Sequence, residues 1–254
     1  VRALVGADAS VDQATDGGVA PLFIAAQFGH LEVVLMLAEI GADVNECTYD
    51  NRSSPLSEAA LRGHLKVVKA LVSLGADLNV RDKAGRTPVF MAALKSRLEI
   101  VQTLYQLGAN IEAGDCRQRS PLWFAAQLGH FDMVCLLHQL GASVATPDCD
   151  ERTPMDAAMA KPCHMKVVWK LRELVAFDEK MFDSVRHGRL EEVRALVRAG
   201  ARVNQVLPQS DTGATLLFVA AERGHLEVVL ALVGAGASVD VALDNGTTPL
   251  LMAA

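Results

Sequence analysis

Histidine recurs in this 254-residue chain in a way that invites a metal site. His30, His64, His130 and His225 each follow a glycine, and imidazole is a common zinc ligand. Zinc, however, needs all its ligands within about 2.3 Å of one point. The Gly-His step sits at one place in a pattern that repeats along the chain, so each histidine belongs to a different structural unit. Packed helices lie about 8–10 Å apart, which keeps equivalent side chains on successive units from converging. A bond to nearby backbone is the expected role. Asp43, Asp77 and Asp240 likewise close successive units and are expected in loops, not as general acids. The chain has no Gly-rich phosphate loop, dinucleotide turn, His-Glu-x-x-His helix or Gly-x-Ser-x-Gly elbow. No catalytic residue, metal ligand or cofactor site is expected.

The side chains suited to recognition are cationic or apolar. Arg86, Arg119 and Arg152 each stand immediately before Thr or Ser and are spaced by 33 residues. A guanidinium offers a planar fork of donors that matches a carboxylate. These arginines read either as a solvated edge, partly neutralised by Asp150 and Glu151, or as a ladder for an acidic segment of a partner. The five cysteines are an odd number without a Cys-x-x-Cys pair. Cys116 and Cys149 occupy equivalent turns of adjacent units, about 8–10 Å apart, whereas a disulfide needs less than about 7 Å. Reduced thiols, and so a cytoplasmic or nuclear setting, are expected.

These residues are positioned by a repeat. Thr87-Pro88-Val89-Phe90-Met91-Ala92-Ala93 reappears as Ser120-Pro121-Leu122-Trp123-Phe124-Ala125-Ala126 and as Thr248-Pro249-Leu250-Leu251-Met252-Ala253-Ala254. Weaker copies start at Ala20, Ser54, Thr153 and Thr215. Pro21, Pro55, Pro88, Pro121 and Pro154 are 34, 33, 33 and 33 residues apart. A fixed period in this range is the mark of a repeat architecture. Within residues 82–112, Asp82 to Arg86 has turn composition. Thr87 can cap a helix, and Pro88 fits its first position. After a break at Lys95-Ser96-Arg97, Leu98, Ile100, Val101, Leu104 and Leu107 follow helical periodicity. Gly108 can adopt the left-handed stop, as can Gly41, Gly75, Gly141, Gly200 and Gly236. Helices this short are marginal alone, so each pair must stack on its neighbours.

The chain resembles the ankyrin-repeat family, whose pattern is Thr-Pro-Leu-His-x-Ala-Ala, then Gly-His, then a Leu-Glu-Val-Val helix, then Gly-Ala-Asp-Val-Asn. It is seen in Gly29-His30-Leu31-Glu32-Val33-Val34 to Gly41-Ala42-Asp43-Val44-Asn45, and again from Gly63 to Asn79 and from Gly224 to Asp240. The resemblance implies an all-α solenoid of stacked helix-turn-helix pairs with hairpin-like loops. The family's first-helix histidine is here Phe23, Phe90, Trp123 or Phe218, and elsewhere Ser57, Asp156 or Leu251. Apolar packing between repeats is expected at the aromatic positions. The resemblance also implies protein binding through hairpin tips and the inner side of the first helices. By position, that singles out Lys83, Arg86, Arg117, Arg119 and Arg152 at the tips. On the first helices it singles out Phe28, Leu61, Arg62, Leu94, Lys95, Gln127, Leu128 and Arg223.

The expected organisation is a second-helix remnant over 1–12 and four regular repeats over 13–146. A degenerate repeat follows over 147–177, then a repeat over 178–204 whose preceding hairpin is shortened. Residues 205–240 form a repeat with an enlarged tip around Pro208 and Gly213, and 241–254 a partial repeat. Residues 175–178 should make a tight helix-to-helix connection. Neither end has the polar cap of a solenoid, which suggests a piece of a larger protein and, apart from association through those ends, a monomer. No run of about 18 apolar residues predicts a membrane span. The net charge of −6 disfavours nucleic acid as a partner. The reading is a non-catalytic protein-interaction module. Its rivals are the recruiting arm of an enzyme whose catalytic domain lies elsewhere and a structural or membrane-skeleton adaptor.

Overall fold

A computed structural model describes residues 10–206 and 213–253. Among them are fourteen α-helices, a 3-10 turn and one isolated antiparallel bridge, Val206–Thr215. The chain divides into two compact units: residues up to 142 with 147–167, and residues 143–146 with 168 onward. No described helix is long and apolar enough to cross a membrane.

In the first unit, helix pairs follow one another: α1 (Pro21–Phe28) and α2 (Leu31–Glu39), α3 (Pro55–Arg62) and α4 (Leu65–Ser73), α5 (Pro88–Leu94) and α6 (Leu98–Gln106), α7 (Pro121–Leu128) and α8 (Phe131–Gln139), then α9 (Pro154–Met159). The first helices α1, α3, α5, α7 and α9 pack side by side, and α2, α4, α6 and α8 form a second layer. Paired alanines at 25–26, 59–60, 92–93 and 125–126 are buried. They let neighbouring backbones approach with little side-chain entropy lost. Four of the five first-helix starts carry a side-chain cap; Ala20, before α1, makes none. Ser54, Thr87, Ser120 and Thr153 accept from the backbone N–H of Ser57, Phe90, Trp123 and Asp156, with proline next in line. The aromatic positions are core: Phe23, Phe90, Trp123 and Phe218 are all buried. Phe90 meets Phe124 edge-on at 5.1 Å between ring centroids, and the buried Trp123 Nε1 donates to Arg152 O at 3.0 Å.

The Gly-His step is a latch between repeats. The last-turn carbonyls of a helix have no partner within it. His64 Nε2 donates to Gln27 O at 2.9 Å and His130 Nε2 to Leu94 O at 3.3 Å. In the second unit His225 Nε2 donates to Arg186 O at 3.1 Å. The imidazole lies over the glycine ending the preceding repeat's first helix. At Gly29, with φ 75°, an added Cβ would stand 2.5 Å from His64 Nδ1. The third repeat departs from the pattern, with Ser96 at φ 54° in the glycine position and Arg97 in place of histidine.

The second unit contains most of α10 (Met165–Arg186), then α11 (Leu190–Arg198), α12 (Leu216–Glu222), α13 (Leu226–Gly234) and α14 (Pro249–Ala253). Its core joins Met181, Val185, Val193, Leu196, Leu216 and Leu232. Here the sequence reading needs correction. Residues 175–178 are not a connection; they lie inside α10, a single helix of 22 residues, so the boundary set between 177 and 178 falls mid-helix. No glycine or proline occurs from 165 to 186. Buried Val167, Leu171, Leu174, Asp178, Met181 and Val185 keep one helical stripe throughout. Where a hairpin would have stood, Arg202 reaches back to pair with Asp178, both nearly buried, and donates to Gln205 Oε1 at 3.2 Å. The remnant expected over 1–12 lies outside the described residues except for 10–12, as does the enlarged tip around Pro208.

Two substitutions test the latch. Gly29→Ala should cost about 1–3 kcal/mol, the combined effect of a left-handed backbone and a displaced His64. Ser96→Gly should stabilise by about 0.5–1 kcal/mol, because relief of the left-handed cost exceeds the added unfolded-state entropy. Urea midpoints of the purified variants measure both. A stabilising Gly29→Ala would overturn the latch.

Candidate functional site

The tips of the third, fourth and fifth repeats are built around a buried aspartate. Asp82 Oδ1 accepts from the backbone N–H of Ala84 at 2.9 Å and of Arg86 at 2.8 Å. Asp115 does the same for Arg117 and Arg119, and Asp148 for Asp150 and Arg152. The Asp N–H donates across the loop to the Arg carbonyl each time. The other carboxylate oxygen takes the guanidinium, at 2.7 Å for Asp82–Arg86, 2.6 Å for Asp115–Arg119 and 3.0 Å for Asp148–Arg152. Successive tips are then joined by backbone bonds: Tyr49 N–H to Gly17, Lys83 N–H to Asn51, Cys116 N–H to Ala84, and Cys149 N–H to Arg117.

This arrangement changes the meaning of the arginine recurrence. Arg86, Arg119 and Arg152 do occupy one position in three tips, but each fork is turned to its own repeat's carboxylate. Arg119 also lies over the Phe124 ring at 4.6 Å and the Trp123 ring at 5.5 Å. Arg152 pairs with Asp150 as well, at 2.9 Å, the neutralisation expected of that acid. Burial pushes the Asp148 carboxyl up, but the Arg152 N–H, the Arg152 guanidinium and the Asp150 N–H together hold it below the usual aspartate range. The bond to Asp148 in turn raises the Arg152 pKa.

The first helices present the remaining candidates. Phe28 is 62% exposed and stacks on His30 at 6.1 Å. Arg62 Nε donates to Glu58 Oε1 at 2.8 Å, an oxygen that also accepts from Gln27 Nε2 at 3.1 Å. Lys95, which ends α5, is exposed; Leu128 is half-buried. Arg223, exposed at the end of α12, belongs to the second unit. A concave pocket of about 400 Å³ lies between tips and first helices, lined among others by Phe23, Asn51, Glu58, Leu61, Arg62 and Arg86. It brings Arg62 and Arg86 together; Phe28, Lys95 and Leu128 lie outside its lining. Glu58, a carboxylate only 7% exposed, was missed by the sequence reading. Its signal is a charge at a first-helix position that elsewhere in this unit holds Ile24, Met91, Phe124 or Ala157.

Asp148 has a testable pH signature. Its folded pKa is lowered, so its stabilising contribution is complete above the unfolded value of about 3.9. That contribution is lost as pH falls through the folded value. Asp148→Asn should therefore be less stable than the parent at pH 7, and the gap should narrow as pH is lowered from 7 to below about 4. Urea midpoints across that range check this; a gap independent of pH would contradict it.

The comparisons with known proteins agree with this geometry. A family model described as "Ankyrin repeats (3 copies)" matches residues 46–115 and 181–254. One described as "Ankyrin repeat" matches 17–49 and 117–149. The unmatched stretch from 150 to 180 contains α9, the 3-10 turn and the first part of the long α10. No curated protein matches the chain. With paired helices, Gly-His latches and zipped tips recurring at a fixed period, and with family matches over most of its length, the chain belongs to the ankyrin-repeat family.

Proposed function

We propose that this chain is a protein-interaction module that performs no chemistry itself and binds partner proteins on the face made by hairpin tips and first helices. Modules of this family are generally protein-binding and typically non-catalytic. The observation that carries the reading is Phe28, an aromatic left largely in water at the end of α1. Apolar surface of this kind, near a concave pocket, is what a partner can bury. Phe28, Leu128, Arg62 and Lys95 are the proposed contacts of the first unit; Arg223 is proposed separately, as a contact of the second unit by itself. Arg86, Arg119 and Arg152 form the frame of that face.

Affinity capture with the 254-residue chain, followed by mass spectrometry, tests the reading. Phe28→Ser with Leu128→Ser should leave helicity unchanged and cut recovery of the captured proteins at least tenfold, since buried aromatic and aliphatic anchors dominate interface energies. Identical capture by the folded double variant would contradict it.

A further inference from the structure

Charge in the third and fourth repeats is sorted by layer. Their tips and first helices, with the turns that follow, hold six cations, among them Lys83, Lys95, Arg97 and Arg117, and only two acids, Asp82 and Asp115. Both aspartates are buried and saturated by Arg86, Arg119 and backbone N–H groups. The second helices and the loops behind them carry Glu99, Glu112 and Asp132 and no Lys or Arg. This segregation occurs within a chain of net charge −6.

Resting on the proposed binding face, we infer that its third and fourth repeats take a short acidic segment of a partner protein, recognised by Lys83, Lys95 and Arg117. These three are exposed, and no ion pair among the described residues engages them. Arg86 and Arg119, by contrast, already hold carboxylates. Arg97 donates to Leu61 O at 3.5 Å in place of the missing latch histidine. Between the free cations, α5 and α7 bear no charged residue at all, and Phe124 and Leu128 are half-buried there.

The flanks set the length of the occupant. The tip before Lys83 exposes Asp50 beside Arg52, and the tip after Arg117 exposes Glu151 and an Asp150 paired with Arg152. Neither flanking tip adds net positive charge, so the cationic surface ends with the third and fourth repeats, which favours a short acidic stretch over a nucleic-acid strand. Neighbouring repeats stack at about 10 Å, and an extended chain advances about 3.3 Å per residue. Acidic residues about three apart, with apolar residues between them, fit the spacing. Exposed ion pairs are individually weak, so binding is salt-sensitive and shared with the apolar strip.

The test uses the whole chain and three fluorescent probes. One is a twelve-residue peptide with Glu at every third position and Leu, Phe or Ala between. The second is the same peptide with Gln for Glu, and the third a single-stranded oligothymidine. The Glu peptide should bind at about 0.05 M salt, weaken as salt rises to about 0.5 M, and bind at least tenfold tighter than its Gln copy. Lys83→Glu, Lys95→Glu and Arg117→Glu together should weaken it at least tenfold with the urea midpoint unchanged. The neutral set Lys83→Gln, Lys95→Gln and Arg117→Gln should give an intermediate loss, and replaces the charge reversal if that variant unfolds. Failure of the Glu peptide to bind, equal affinity for the Gln copy, an unaffected folded variant or tighter binding of oligothymidine would each overturn the inference. If any of these occurs while capture still depends on Phe28 and Leu128, the acidic assignment falls and the interaction module stands.

Discussion

A carboxylate with almost no access to water must have its oxygens filled, and in this chain that demand shapes the tips. Asp82, Asp115 and Asp148 are buried. An unpaired charge there would cost several kcal/mol. Each is saturated from within its own loop, by two backbone N–H groups and the guanidinium four residues on. The loop closes around the acid and other N–H groups of the tip zip onto the neighbouring tip, while Arg119 and Arg152 also lie over the Trp123 ring. Loop geometry, registry between tips and placement of the cations share one electrostatic cause. Arg86 and Arg119 are thereby paired within their own tips, whereas Lys83, Lys95 and Arg117 are exposed and in no ion pair among the described residues.

A second constraint works at the other end of the first helices. A helix cannot satisfy its own last carbonyls, and the histidine of the following repeat supplies the donor at Gln27 and Leu94. The glycine beneath permits both the left-handed stop and the approach of the ring. Where Ser96 replaces that glycine, the histidine bond is longer, 3.3 Å against 2.9 Å. Tips and latches together hold consecutive first helices in register, giving the side chains between them a common face.

Much of this was legible in the residues. Thr-Pro starts, glycine stops and the 33-residue spacing are local or periodic signals, and the helix pairs lie where they put them. The aromatic positions read correctly as packing, because Phe23, Phe90, Trp123 and Phe218 recur on the buried side of successive first helices. Two features did not read through. The fused α10 was hidden because a missing hairpin leaves no mark of its own; a spacing deficit shows that residues are gone, not that one helix continues. The direction of the arginines could not be read, because recurrence shows equivalence of position but not where each fork turns. The corrective signal was present, an aspartate four residues before each arginine, yet its meaning depends on burial. Arg202 and Asp178 pair across 24 residues at no repeating interval, so pattern alone could not join them.

The account turns on whether the tip arginines belong to the frame. A double-mutant cycle on the fourth tip tests this directly, using Asp115→Asn, Arg119→Gln and the two combined, each unfolded in urea at neutral pH. The account predicts a coupling of roughly 1 kcal/mol or more, within the range for residues sharing one network. Additive losses at these two positions would show that Arg119 is not held by Asp115 and would return it to the set of cations free to meet a partner.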